Sequence, residues 1–282
     1  MKTSFLLRTA ALAVSLSVAL PMAAHAHRAW LLPSATVMSG NNPWVTVDAA
    51  VSNDLFYFEH NALRLNGLTV VAPDGKTIAA SNENTGKYRN TFDVELTQPG
   101  TYKLALVNNG MSASYKVDGK NKRWRGTADT FAKEVPANAQ DLNVSMMHSR
   151  IETFVTTGKP NTTALQATGQ GLELVAVTHP NDLYAGESAN FRFVLSGKPA
   201  ADLDVSIIPG GIRYRDQLNE IKVKTDKDGN FSVKWPTPGM YYISARAGGN
   251  SMEQEGDKGP AGTLAKPLHR MSYAATVEVL KP

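Results

Sequence analysis

The chain has 282 residues, no cysteine and a formal net charge of +4 at neutral pH. The lack of cysteine excludes a disulfide framework, a thiolate metal site and a lipid-modified cysteine. Basic and acidic residues are interspersed, so charge makes no case for nucleic acid as a partner.

At the amino terminus, Lys2 and Arg8 precede an apolar stretch from about Ala10 to Leu20, and Ala24-His25-Ala26 follows. This three-part layout predicts a secretory signal peptide over residues 1–26, cleaved after Ala26. The apolar stretch is too short to cross a bilayer as a stable helix, and no later segment reaches that length, so a soluble periplasmic protein is expected. Cleavage also removes two of the basic residues and no acidic one, which lowers the charge further. What remains is long enough for two domains with separate cores.

Cleavage after Ala26 makes His27 the first residue. Its free α-amine and its imidazole Nδ1 can then close a six-membered chelate, an arrangement suited to copper and nickel. A cut after Ala24 would leave His25-Ala26-His27, whose amine, two backbone amides and third-position imidazole form a square-planar site for the same metals. The first cut is favoured, because Ala24 and Ala26 occupy the two small-residue positions.

Further along, alternating runs such as Trp44-Val45-Thr46-Val47 and Ala189 through Leu195 predict strands with one buried face. One segment repeats: Thr91–Leu104 matches Asn230–Ile243, with Phe92, Val94 and Leu96 in the places of Phe231, Val233 and Trp235. In each copy a Pro-Gly-x-Tyr turn follows, at Pro99 and at Pro238, and a turn lies upstream at Pro73-Asp74-Gly75 or Asp226–Gly229. The fold predicted is all-β, with two immunoglobulin-like sandwiches in tandem over residues 27–160 and 170–282. Turn formers and small polar residues from Thr157 to Gly171 mark the linker.

Two segments break the strand spacing. Met111–Ala137 carries Lys116, Lys120, Lys122, Arg123 and Arg125 around Trp124; it reads as a solvated loop with Trp124 packed on the sandwich, the alternative being an anionic-ligand or membrane-surface patch. Gly248–Lys266, rich in Gly, Glu and Lys, reads as a second long loop.

No nucleophile elbow, phosphate loop, dinucleotide fingerprint or His-Glu-x-x-His pair occurs, so a non-enzymatic protein is expected. Asp226-Lys227-Asp228-Gly229 resembles the opening of a calcium loop, but the later ligands are missing and a hairpin turn accounts for it. The candidate metal ligands are His27, His60 and His148. His60 closes the run Asp54-Leu55-Phe56-Tyr57-Phe58-Glu59-His60, in which two carboxylates and an imidazole flank aromatic residues. His148 follows Leu142-x-Val144-x-Met146, so alternation puts it on the apolar face, with Met147 pointing the other way. His179 and His269 read as turn or surface residues.

The stretch His27-Arg28-Ala29-Trp30-Leu31-Leu32-Pro33 behind the signal, Val177-Thr178-His179-Pro180-x-x-Leu183-x-Ala185-Gly186-Glu187, Val194–Pro199, the Thr225–Phe231 turn and Arg270-Met271-Ser272-Tyr273 occur in this order. Together they resemble an exported family of uncharacterised-domain proteins linked to periplasmic nickel, and sometimes cobalt, uptake. The resemblance implies a mature amino-terminal histidine at His27 with Trp30 beside it, a divalent-metal cargo, and a membrane transporter or outer-membrane receptor as partner. The expected function is capture of a divalent transition metal, nickel first, then cobalt or copper, for uptake. Two other classes remain: a non-metal adhesion or carbohydrate-binding sandwich, and a copper-handling protein in which Met146-Met147-His148 adds soft ligands.

Overall fold

A computed structural model describes residues 27–248 and 261–282. The predicted signal peptide, and residues 249–260 of the second expected loop, lie outside the described residues. The first half contributes β1 (Arg28–Pro33), β2 (Val37–Met38), β3 (Trp44–Ser52), β4 (Asn61–Ala62), β5 (Leu68–Val71) and β6 (Thr77–Ile78). It continues with β7 (Ser81–Thr85), β8 (Asn90–Glu95), β9 (Gly100–Val117), β10 (Lys120–Gly126), α1 (Ala128–Glu134) and β11 (Gln140–Thr157). The second half contributes β12 (Leu172–Ala176), β13 (Ser188–Leu195), β14 (Lys198–Pro199) and β15 (Asp204–Pro209). The remaining strands are β16 (Ile221–Lys224), β17 (Asn230–Lys234), β18 (Gly239–Ala247) and β19 (Leu268–Val279). No helix among the described residues is long and apolar enough to cross a membrane.

Alternation drives these strands. In β3, Val45 and Val47 are buried while Trp44 and Thr46 are exposed, and β13 and β17 follow the same period. Among the described residues these strands form three sheets. One has the order β1-β3-β8-β7, with β4 on β3; another has β12 and β13 with β14 and β17. Between them runs a ten-stranded sheet, β16-β15-β18-β19-β11-β9-β5-β6, with β10 on β9 and β2 on β11.

The repeated segments occupy equivalent corners. Phe92 and Val94, on β8, belong to one core; Phe231 and Val233, on β17, belong to another. In each copy the Pro-Gly turn carries the chain out of its small sheet into the ten-stranded one, as β9 or β18. A tyrosine locks each corner: the Tyr102 hydroxyl donates to the Gln98 carbonyl at 3.0 Å, and the Tyr241 hydroxyl to the Thr237 carbonyl at 2.8 Å. The chain is all-β with two immunoglobulin-like sandwiches. These are not separate bodies, however, because β9 and β18 share a sheet. β11 also pairs in parallel with β19, from Ser145 opposite Leu268 to Thr153 opposite Thr276.

Residue parity on β11 assigns its two faces. Ile151 and Val155 enter the first core with Trp30, Val45 and Phe92, whereas Phe154 enters the second with Leu172, Phe191 and Tyr273. The two small sheets therefore cover opposite faces of the ten-stranded one.

The basic segment departs from expectation, since it forms a hairpin and a helix instead of a loop. Met111 and Ala113 alternate with polar residues and are buried, so β9 simply continues and β10 pairs back onto it. Trp124 is buried, but in a small cluster with Met111, Val144 and Phe131 of α1 apart from both sandwich cores; it lies edge-on to Phe131 at 5.1 Å, with its indole N–H donating to Glu134 at 2.7 Å. The basic side chains Lys120, Lys122, Arg123 and Arg125 remain exposed.

The linker is fastened to the second face by a buried ionic cluster. Arg150 contacts Glu152 at 3.1 Å and Glu173 at 3.3 Å, all three being 3–4% exposed, and the Tyr273 hydroxyl donates to Glu152 at 2.7 Å. Glu173 also accepts the Thr168 hydroxyl and the backbone N–H groups of Thr168, Gly169 and Gln170. Burial alone would raise the pKa of Glu173, but the Thr168 bonds, Arg150 and the Gly169 N–H outweigh it and hold the group below its ordinary value.

Replacing Arg150 with Ala leaves two buried carboxylates without their cation, and a loss of about 3–5 kcal/mol is expected from urea unfolding at pH 7. Glu173 has its lower pKa in the folded state. Its contribution is therefore complete above the ordinary glutamate value and is lost as pH falls through the depressed one. Urea midpoints measured from pH 7 down to pH 3 should fall less steeply for Glu173→Gln than for the native protein.

Candidate functional site

The end of β3 organises the candidate site. On one side β1 places Arg28 opposite Ser52; on the other, β4 places Asn61 opposite Val51. His27 and His60 are the residues just before these two strands, so both project at the same end of the small sheet. Their rings stack, with centroids 3.8 Å apart and planes inclined by 25°. Both residues are exposed.

The loop that carries His60 is held by its own sequence. One oxygen of Glu59 accepts the backbone N–H groups of Asn53 at 2.8 Å and Asp54 at 3.0 Å. The Ser52 hydroxyl donates to the Asp54 carbonyl at 2.6 Å and accepts the Trp30 indole N–H at 2.9 Å. Arg28 donates to the Asn53 carbonyl at 3.0 Å. Phe56 adopts a φ of 63°, a left-handed turn that directs its ring onto Trp30 beside Phe58, each with centroids 5.5 Å from the indole. The backbone N–H of Asp54, then that of Asn53, and the charges of Arg213 and His60 hold the Glu59 carboxyl below its ordinary pKa against the opposing effect of burial. Glu59 is thus a charged structural tie beside the two rings.

The second half of the chain reaches this loop. The turn of 3₁₀ helix Ile212–Tyr214 lies between β15 and β16, and its Arg213 sits 4.0 Å over the Tyr57 ring. Arg215 fixes that connection by donating to the carbonyls of Pro209, Gln217 and Leu218. Ile212 and Leu218 pack against the first core.

His148 does not join His27 and His60. It has the parity of Phe154, so it lies on the other face of the ten-stranded sheet, against Gly171. Its ring is half-buried, and both nitrogens lack a hydrogen-bond partner among the described residues. Met147 does point to the opposite face, yet Met146 and Met147 are equally exposed, so the strand is open on both sides there. His179 is a structural residue: its Nε2 lies 3.0 Å from the Thr101 hydroxyl, and its Nδ1 accepts the Asn181 N–H. His269 is exposed on β19. The Asp226 carboxylate accepts the N–H groups of Asp228 and Asn230, as a hairpin turn requires. Among the described residues, no three His, Asp or Glu side chains converge to hold a metal ion. The imidazoles of His27 and His60 stand together without a third such side chain among the described residues.

Residues 24–249 match the domain of unknown function DUF4198. The chain belongs to this family. No curated protein matches it. Among solved structures, this family member overlaps the D0-D1 domain of Intimin at 12% identity and a TM-score of 0.22, covering 89% of this chain and 97% of that one. A D1-D4 ectodomain fragment of ICAM-5 overlaps at 10% identity and a TM-score of 0.22, covering 90% and 51%. A DUF4785 family protein from Legionella pneumophila overlaps at 8% identity and a TM-score of 0.23, covering 77% and 50%. These overlaps are slight, and the sandwich architecture rests on the chain's own sheets.

Arg213 and the structural use of Glu59 escape a reading of the sequence, because both depend on loop conformations that no periodicity encodes. Glu59→Ala frees two backbone N–H groups and should cost about 1 kcal/mol in thermal unfolding. It should also weaken the nuclear Overhauser contacts between the His27 and His60 rings, which Glu59→Gln, with one acceptor oxygen left, should largely keep.

Proposed function

We propose that this protein is a periplasmic accessory protein that captures a divalent transition metal, nickel first, with its mature amino terminus. The site consists of the α-amine and imidazole of His27 together with the imidazole of His60. What carries the reading is the stacking of the two rings at 3.8 Å, which joins residues 33 positions apart in sequence. Cleavage after Ala26 frees the amine at that point and completes a neutral donor set of three nitrogens. Such a set suits borderline ions, nickel, cobalt and copper, over calcium or magnesium, which take oxygen ligands. The resemblance to a family linked to nickel uptake orders these ions, and the metal would pass to a membrane transporter or outer-membrane receptor. An amine and two imidazoles also form a copper brace, so copper chemistry is the competing reading.

Intact-mass measurement of the secreted protein should place His27 first; retention of Met1 or a start well inside the chain overturns the proposal. Nickel(II) and copper(II) isotherms of native-terminus protein then test the site. His27→Ala, His60→Ala and an amino-terminal tag should each weaken binding, because each removes one of the three donors, while His148→Ala should leave it unchanged. Affinity should also weaken as pH falls from about 8 to about 5, since bound nitrogens must shed their protons. Affinity left at the native value by both the tag and His27→Ala refutes the site. Lack of binding to any divalent ion supports a non-metal binding sandwich, and redox turnover with copper supports a copper protein.

A further inference from the structure

The face of the ten-stranded sheet opposite His27 and His60 holds a second group of donors. β11 presents Met146 and His148 there, and β19 presents His269 and Met271. The parallel register sets Met146 opposite His269 and His148 opposite Met271. Each pair is two residues apart on its strand, so the four side chains stand at the corners of a rectangle about 4.8 Å by about 6.6 Å. Parity is fixed by neighbours: Arg150 and Tyr273, the next residues on this face, share the buried ionic cluster, and Val144, on the other side, packs with Trp124 and Phe131.

The rectangle lies in a gap between two covers. The helix α1 and Trp124 close one end, over Met111 and Val144; the start of β12 closes the other. Between them Met146 is 41% exposed, His269 is exposed, and His148 and Met271 are half-buried. Gly171 lies against the His148 ring so closely that an added Cβ would stand 2.2 Å from Cε1 and 2.3 Å from Nδ1. The ring is therefore held in a slot, with two buried nitrogens and no partner for either among the described residues. Buried polar atoms of this kind call for a partner.

The four donors are two thioethers and two imidazoles, with no carboxylate at the corners. Soft neutral donors of this kind favour monovalent copper over divalent ions. We propose that Met146, His148, His269 and Met271 form a binding site for monovalent copper. This site is separate from the His27–His60 site and does not depend on the amino-terminal reading. Met147, on the opposite face, has no part in it.

Silver(I), a redox-inert stand-in, and copper(I) under reducing anaerobic conditions are the probes, titrated into native-terminus protein against a competing chelator. One equivalent should bind with the same affinity in the native protein, in the His27→Ala/His60→Ala double variant and in Met147→Leu. The Met146→Leu/Met271→Leu double variant conserves apolar volume and should fold. It should lose about 100-fold or more in affinity, at least what an outer-shell partner is worth. His269→Ala, at an exposed position, should also weaken binding. Because the chain has no cysteine, any sulfur seen by X-ray absorption at the bound metal belongs to methionine. Unchanged affinity in the methionine double variant, a metal spectrum with only nitrogen and oxygen neighbours, or loss of silver binding in the His27→Ala/His60→Ala variant overturns the proposal.

Discussion

The parallel pairing of β11 with β19 is the joint on which this architecture depends. A sandwich needs only as much of each strand as its partner sheet covers, yet β11 is 18 residues long and contributes to both cores. Because its side chains alternate, one strand presents Ile151 and Val155 to the first core and Phe154 to the second. A hinge between the halves would have to break nine consecutive residue pairings along this strand. The chain has instead anchored its connection. Asn161 accepts the Thr101 N–H and donates to the Pro73 carbonyl, Lys103 donates to the Gln166 carbonyl, and Glu173 gathers the turn at Thr168. The segment joining the sandwiches thus covers the face of β9 that neither small sheet reaches.

That joint also decides which side chains can cooperate. His27 and His60 belong to a small sheet on one face; His148 and His269 belong to the other. No rotamer change brings His148 to His27 and His60, since the ten-stranded sheet stands between them. Candidate ligands that look equivalent along the sequence are sorted into two groups by the parity of one strand. Each group has its own chemistry, nitrogen donors on one face and mixed thioether and imidazole donors on the other.

Much of the fold was legible in local patterns. The period of two in Val45 and Val47, or in Phe231 and Val233, reports a strand with one buried face whatever it pairs with. The Pro-Gly-x-Tyr repeat reports two equivalent corners, since each tyrosine hydroxyl returns to the residue four before it. The shared sheet was not legible, because β11 and β19 begin more than a hundred residues apart and nothing in either run names its partner. The hairpin around Trp124 was missed for a different reason: its exposed lysines and arginines obscure an alternation that Met111, Ala113 and Tyr115 do carry. At the candidate site, the aromatic run before His60 marked the loop. Its meeting with His27 depends on β1 and β4 flanking β3, a long-range pairing that spacing does not encode.

The treatment of charge at the two faces bears on which ions each could hold. Beside His60, Glu59 spends one oxygen on the N–H groups of Asn53 and Asp54, so it shapes the loop and supplies negative potential next to the rings. A divalent ion held by neutral nitrogens there has a counter-charge nearby. Around His148 the carboxylates of Glu152 and Glu173 are occupied by Arg150, Tyr273 and the linker N–H groups. At the imidazole the cation Arg150 acts more strongly than the anion Glu173, so a dication would enter a half-buried site with little to offset its desolvation. A monocation carries half that charge and gains from polarisable sulfur. The proposed division of a divalent ion on one face and a monovalent one on the other therefore follows from where the carboxylates are already engaged, as well as from the donor atoms themselves.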